Sequence, residues 1–234
     1  MFHLWTNAKA LGGQQAFEEA VLEIHRLPYL PLLEAFILLP LAFHALYGVK
    51  LAFEGRSNLG QYTHARNWMY TLQRFTGLVA LLFLGYHLWE LRFQTAIDAM
   101  APMAFYPTLC AHLSSTIHGV PIVGLVYILG VAACVFHLAN GLWGFCVSWG
   151  LLLTRRAQRS AALVFGLLGL LIFLLGINTT LYFATGARSF LPAAPPTDRL
   201  SPRSCADLPR PRAAALAPGR SLPGFQPAVS GGSS

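Results

Sequence analysis

Charged side chains are scarce in this chain of 234 residues, where Lys, Arg, Asp and Glu together make up 11%. A soluble domain carries about 25% charged residues. Because 55% of the residues are hydrophobic, the composition excludes an ordinary soluble protein and predicts an all-α membrane protein, a transmembrane helix bundle. The formal net charge of +7 lies mostly in loops and in the tail. Lipid headgroups and membrane orientation account for that charge better than nucleic acid, so we expect no nucleic-acid partner.

Cysteine motifs are also lacking. The four cysteines, Cys110, Cys134, Cys146 and Cys205, show neither CxxC nor CxxCH spacing. This argues against a zinc site, an iron–sulfur cluster or covalently attached haem in this chain. Cys134 and Cys146 lie in an apolar stretch, and we expect them to be inert packing residues.

The start of the chain has no apolar segment of the length that a signal peptide needs. It is more typical of the last turns of a helix whose beginning is missing. We therefore predict three regions: residues 1–29 form the end of a first helix and an outer connection, residues 30–185 a bundle of four complete spans, and residues 186–234 a disordered tail rich in Pro, Ala and Arg. The predicted spans are residues 30–53, 68–91, 120–153 and 161–183.

Basic residues near the spans predict the orientation. Lys and Arg are concentrated around residues 54–67 and 154–160, so these two loops are expected to be cytoplasmic. We call the cytoplasmic end of the bundle the inner end and the opposite end the outer end.

The apolar stretch 131–150 contains one histidine, His137, and an ionisable residue at membrane depth is by default a functional candidate. Small residues recur on one helical face around it and leave a slot for a flat ligand such as haem: Gly130, Ala133, Cys134, Gly141 and Gly144.

Depth along the helices groups four histidines into two levels. His44 and His137 share the middle-to-inner level, and His87 and His3 share the outer level. The two levels differ by roughly 15 Å at 1.5 Å per residue, a spacing that suits two stacked haems. A simple alternative stays open for each histidine, because a single histidine in an apolar helix is often only hydrogen-bonded to neighbouring backbone.

The other histidines and two charged residues have weaker signals. His25, His64, His112 and His118 lie in connections and are expected at the surface. Glu90, one turn after His87, could relay protons to a quinone or could be a solvated residue at a helix end. Arg74 could pair with haem propionates or with lipid headgroups.

Four motifs in order carry a resemblance: FHALYG at 43–48, RNWMYTLQRFTG at 66–77, YHLWE at 86–90 and FHLANGLWGFCVSWG at 136–150. The chain from about residue 1 to about residue 185 resembles the dihaem cytochrome b membrane anchor of succinate dehydrogenase, of the five-helix single-subunit type. It is similar also to the anchor of dihaem quinol:fumarate reductases. Family members have a complete first helix, whereas this chain begins near the outer end of that helix.

The resemblance implies two b haems in a bacterial inner membrane. His44 and His137 match the axial iron ligands of the inner haem, and His3 and His87 match those of the outer haem. The implied partners are a flavoprotein subunit, an iron–sulfur subunit on the cytoplasmic face, membrane lipid, and menaquinone or ubiquinone. The anchor itself performs no succinate chemistry.

Three other functions are compatible with the same sequence. The chain could serve a fumarate reductase that oxidises quinol, or it could be a stand-alone transmembrane dihaem b cytochrome. From a different class, it could be a membrane transporter or structural protein without a cofactor.

Overall fold

The computed structural model describes residues 2–55, 59–61, 64–97, 104–187 and 205, without the side chains of Thr95 and Ile97. Within these residues the secondary structure is helical apart from one isolated bridge between Ile117 and Val120. The α-helices are α1 Phe2–Ala8, α2 Gln14–His25, α3 Leu30–Glu54, α4 Ala65–Leu88, α5 Gln94–Ile97, α6 Phe105–Leu113, α7 Ile122–Ser148 and α8 Arg155–Thr185. A 3-10 turn at Lys9–Gly12 joins α1 to α2, and a π-helical turn at Trp89–Phe93 joins α4 to α5.

Three of the described helices, α3, α7 and α8, are long and apolar enough to cross a membrane. The predicted all-α membrane bundle is therefore confirmed. Helix α4 has 24 residues, but its first half carries Gln73 and Arg74, so it is less apolar than the other three. The count of four spans stays a prediction.

The helix ends differ from the predicted ones for local reasons. Helix α8 begins at Arg155, six residues before the predicted start, because the Thr154 hydroxyl accepts a hydrogen bond from the Ala157 N–H at 3.1 Å and caps the helix. Helix α4 begins at Ala65, three residues before the predicted start. Polar side chains at these positions lower the local hydropathy, so the hydropathy pattern places the beginning of each helix too late.

Helix α7 is the central element, since it packs against α4 on one side and α8 on the other. Small residues permit the close contacts with α8. A methyl group built on Gly169 would lie 3.0 Å from Ala139, and one on Gly176 would lie 2.7 Å from Val131. These two glycines therefore allow the close packing of α7 against α8.

Helix α3 lies beside α4 and has no buried residue. Polar contacts connect it to α4 and to the π-helical turn. Near the inner end, the Arg74 guanidinium donates to the carbonyls of Ala52 and Gly55. Near the outer end, Arg92 forms a bidentate ion pair with Glu34, with distances of 3.0 and 2.7 Å.

The buried core lies at the outer end, where α2 and α6 pack over the last turns of α8. Tyr106 and Tyr182 are almost fully buried, and their hydroxyls are 3.0 Å apart. Phe17 and Phe183 surround them. The sequence predicts a connection between the spans 68–91 and 120–153, but this region contains α6, one of the most buried segments of the described chain.

A disulfide between Cys110 and Cys205 joins α6 to the tail. The sequence did not predict it, because the two residues are 95 positions apart. Residues 186–234 are the predicted disordered tail. The structure describes Gly186, Ala187 and Cys205 of this tail, and the prediction for the rest lies outside the described residues. Cys134 and Cys146 are free thiols within α7.

Candidate functional site

The inner histidines face each other across the bundle. The ring centroids of His44 on α3 and His137 on α7 are 6.2 Å apart, at an interplanar angle of 79°. Metal–imidazole bonds are about 2 Å long, so two imidazoles on opposite sides of one metal have centroids about 6 Å apart. The separation therefore fits two histidines that would hold one iron.

Helix α4 fixes the orientation of the His137 ring. Nδ1 of His137 donates to the Gln73 carbonyl at 3.1 Å, which leaves the lone pair on Nε2 available for a metal. The ring also packs against Gly77, where a methyl group would lie 2.8 Å from Cε1 of His137. Only glycine at position 77 lets the ring lie this close to α4.

Amide side chains hold α4 and α7 in register at this level. The Gln73 amide donates to the His137 carbonyl at 3.0 Å. The Asn140 amide in turn donates to Oε1 of Gln73 at 2.8 Å and to the Met69 carbonyl at 3.3 Å. The backbone and side chain of Gln73 thus both position His137.

The glycines of the predicted slot, and Gly48 one turn after His44 on α3, divide into two kinds. A methyl group on Gly48 or Gly144 would meet no described atom within 4 Å, which leaves open space beside the inner histidines. A methyl group on Gly141 would lie 3.1 Å from the Gln73 amide nitrogen, and one on Gly130 would overlap the Phe83 ring. Gly141 and Gly130 therefore allow close helix contact, while Gly48 and Gly144 leave room for a ligand.

The outer histidines form a second facing pair. The centroids of His3 on α1 and His87 on α4 are 5.6 Å apart, at 80°. Nδ1 of His87 lies 3.3 Å from the Tyr127 hydroxyl, and when the ring donates this bond its Nε2 keeps the lone pair. The Asn7 amide nitrogen lies 3.4 Å from Nε2 of His3 and also donates to the His3 carbonyl at 2.9 Å. If the ring binds a metal through Nε2, the amide keeps its hydrogen bond to the carbonyl.

The two pairs lie at different depths. Tyr127, which contacts His87, precedes His137 by ten residues on α7, or roughly 15 Å along the axis. In the described part of the chain, no group of three or more His, Cys, Asp and Glu side chains could hold a metal ion by itself. A haem iron takes its equatorial ligands from the porphyrin and needs only two histidines. The residues present thus fit two haems, and the four histidines as iron ligands stay a prediction.

Glu90 lies beside a polar cluster at the outer end. Its Oε2 is 3.8 Å from Nε2 of His112, and that nitrogen is 2.9 Å from the Tyr86 hydroxyl. Burial lowers the pKa of His112, and the nearby Glu90 carboxylate partly opposes this effect by raising it. The arrangement connects a carboxylate, an imidazole and a phenol over short distances.

The prediction that His112 is a surface residue was wrong, because its side chain is 18% exposed. Helix α6 brings it against Tyr86, and α6 was not predicted. His25, His64 and His118 are exposed, as expected.

Arg74 binds the end of α3 rather than open solvent. Besides its bonds to Ala52 and Gly55, its guanidinium lies 5.5 Å from the Tyr70 ring. A methyl group at Gly55 would lie 2.7 Å from this guanidinium. A role of Arg74 toward haem propionates stays a prediction.

The helical bundle and its two facing histidine pairs have the arrangement of a membrane-embedded cytochrome. The chain is 40% identical over 163 residues to the succinate dehydrogenase cytochrome b558 subunit of Bacillus subtilis (strain 168), an alignment that covers 69% of this chain and 77% of that protein. The chain therefore belongs to the family of succinate dehydrogenase cytochrome b558 subunits, as its sequence motifs predicted. No protein-family model and no solved structure matches it.

Proposed function

We propose that this chain is the membrane anchor and electron conduit of a succinate dehydrogenase, passing electrons from an iron–sulfur subunit through two b haems to a quinone. Family membership supports this function. The observation that carries the dihaem proposal is the presence of two facing histidine pairs with centroids 6.2 and 5.6 Å apart.

His44 and His137 would hold the inner haem, and His3 and His87 the outer haem. Each haem b supplies a one-electron carrier. The protein sets the ligand geometry: the Gln73 carbonyl and Gly77 fix the plane of His137, and Tyr127 fixes that of His87. Arg74, at the inner end, is the residue that we assign to a haem propionate.

The proposed partners are a flavoprotein subunit and an iron–sulfur subunit, since the relative is named as a succinate dehydrogenase subunit. We place the iron–sulfur subunit at the inner end of a bacterial inner membrane, with loops 54–67 and 154–160 in the cytoplasm. The Cys110–Cys205 disulfide supports this orientation, because it lies at the opposite end and disulfides persist in oxidising compartments outside the cytoplasm.

Glu90 is the proposed proton donor for quinone reduction at the outer end. Reduction of a quinone to a quinol takes two electrons and two protons. Glu90 is 26% exposed and lies 3.8 Å from His112, so a proton taken from the outer aqueous phase has a short route into the Tyr86–His112 cluster. The quinone is menaquinone or ubiquinone.

The function is tested by purifying the full chain with its partner subunits and counting haem. We expect two b haems per chain, and b-type absorption that increases when succinate is added. A preparation that contains the iron–sulfur subunit but no b-type band in the reduced-minus-oxidised spectrum would contradict the proposal. His64→Ala, at an exposed residue, is the control and should keep both haems.

A further inference from the structure

A groove of about 490 Å³ lies on α7 between α4 and α8, and no histidine lines it. We call it the α7 groove; its lining includes Arg66, Phe136, Trp143, Ala162, Gly166 and Phe173. Its size falls within the range of small-ligand sites, roughly 300–1,000 Å³.

The groove faces away from the haem positions. At 3.6 residues per turn, Phe136 and Trp143 lie roughly 100° and 120° from His137 around α7. His137 faces His44 and the Gln73 carbonyl, whereas the groove is lined by residues of α4, α7 and α8 and by none of α3. A ligand in it would contact membrane lipid rather than a haem.

The length of the groove matches one leaflet of a bilayer. On α8 the lining runs from Ala162 to Phe173, and on α7 from Trp143 to Ala132, which is twelve residues in both cases. The eleven steps between the first and the last of these residues rise by roughly 16 Å, about half of a hydrocarbon core of about 30 Å. The groove therefore extends from the inner end of the bundle to the middle of the membrane.

A fixed positive charge lies at the mouth of the groove. The guanidinium carbon of Arg66 is 3.5 Å from the centroid of the Trp143 ring, in a cation–π contact. The Trp143 ring is itself fixed in orientation, because its indole N–H donates to the Gln158 carbonyl at 3.0 Å. Among the described residues that line the groove, Arg66 alone carries a charge.

We propose that the α7 groove binds an anionic phospholipid, with the phosphate at Arg66 and one acyl chain along the apolar wall toward Phe173. The charge at the mouth and the apolar depth match an anionic headgroup and a chain of one leaflet. A quinone fits less well, because its two carbonyls need polar partners on opposite sides of the ring. The polar groups lie at one end, and the Asn140 amide and the Trp143 indole already donate to other groups.

The headgroup is tested with the purified complex in detergent, stripped of lipid and titrated with phosphatidylglycerol or with phosphatidylcholine of the same acyl chains. Native mass spectrometry counts the bound lipid. We expect the wild type to prefer phosphatidylglycerol about fivefold, the effect of one arginine near an anionic headgroup. Arg66→Gln should abolish the preference, and Arg66→Lys should retain most of it.

Arg156→Gln is the matched control, because it removes an equal, exposed charge near the same end but outside the groove. It should leave the preference within twofold of the wild type. Equal binding of the two lipids by the wild type, or equal losses in Arg66→Gln and Arg156→Gln, would overturn the proposal. Elution as a single species establishes that each variant is folded.

The acyl-chain position is tested by Gly166→Leu, which fills the groove where a methyl group meets no described atom within 4 Å. We expect phosphatidylglycerol binding to fall severalfold. Leu167→Trp adds bulk to the exposed surface of the same helix and should leave binding unchanged. If Gly166→Leu instead releases co-purified menaquinone while phosphatidylglycerol binding is unchanged, the groove is a quinone site and our assignment is wrong.

Discussion

The inner and outer histidine pairs are positioned by different means. At the inner level a backbone carbonyl, from Gln73, orients His137, and Gly77 permits the ring to approach α4. At the outer level a side chain, the Tyr127 hydroxyl, orients His87. The inner geometry thus depends on the spacing of two helices, while the outer geometry depends on one replaceable hydroxyl.

The partner histidines also differ in their support. His44 lies on α3, which has no buried residue and is connected to its neighbours by Arg74 and by the Arg92–Glu34 pair. His3 lies on a helix of seven described residues, next to the buried core of the outer end. In each pair, the ring whose orientation is fixed by a neighbouring helix lies on α4 or α7: His87 in the outer pair and His137 in the inner pair.

The largest effect is expected from His137→Ala, which removes an inner ligand. The haem count should fall from two to one per chain, and electron flow from succinate to quinone should fall more than about a hundredfold, since loss of a ligand exceeds the 10–100-fold effect of a hydrogen-bonding partner. Haem extraction and succinate:quinone assays measure both. Retention of two haems would show that the ligand assignment is wrong.

Gly77→Ala should have a smaller effect, confined to the inner haem. The new methyl group would lie 2.8 Å from Cε1 of His137, and such overpacking costs about 1–3 kcal/mol. We expect lower thermal stability and partial loss of one haem. The b-type absorption, recorded during heating, measures both. Gly85→Ala on the same helix is the control, because a methyl group there meets no described atom within 4 Å. Equal behaviour of the two variants would refute the role given to Gly77.

Tyr127→Phe should have the smallest effect and change the outer haem alone. It removes the hydroxyl beside Nδ1 of His87 and keeps the ring packing, so haem affinity should fall by about tenfold or more. Redox titration that resolves the two haems should show a shifted outer potential and an unchanged inner one. Tyr47→Phe, at an exposed tyrosine, should change neither. A shift of the inner potential would contradict the separation of the two sites.

The sequence predicted the all-α membrane bundle because hydropathy shows it, and the depth levels of the histidines follow from counting residues along a helix. It paired His44 with His137 and His3 with His87, and the structure brings these rings to about 6 Å. Gly77 lies within a motif that the sequence showed, but its contact with His137 depends on how α4 and α7 pack. The Gln73 carbonyl has no sequence signal, since every residue has a carbonyl.

The outer end was the least predictable region. Helix α6 has nine residues, too short for a clear periodic pattern, so its burial and the position of His112 were missed. The partnership of Cys110 with Cys205 depends on contacts far apart in the chain. Tyr127 was overlooked because an aromatic residue in an apolar helix resembles ordinary packing.

The Cys110–Cys205 bond closes the backbone between these residues into a covalent ring. That ring contains α7 and α8, two of the helices long enough to cross a membrane. A single backbone cut anywhere within it, including the loop between α7 and α8, would leave one covalently connected molecule until the disulfide is reduced. The half of the bundle that holds His137 is therefore tied to the rest of the chain at both of its ends.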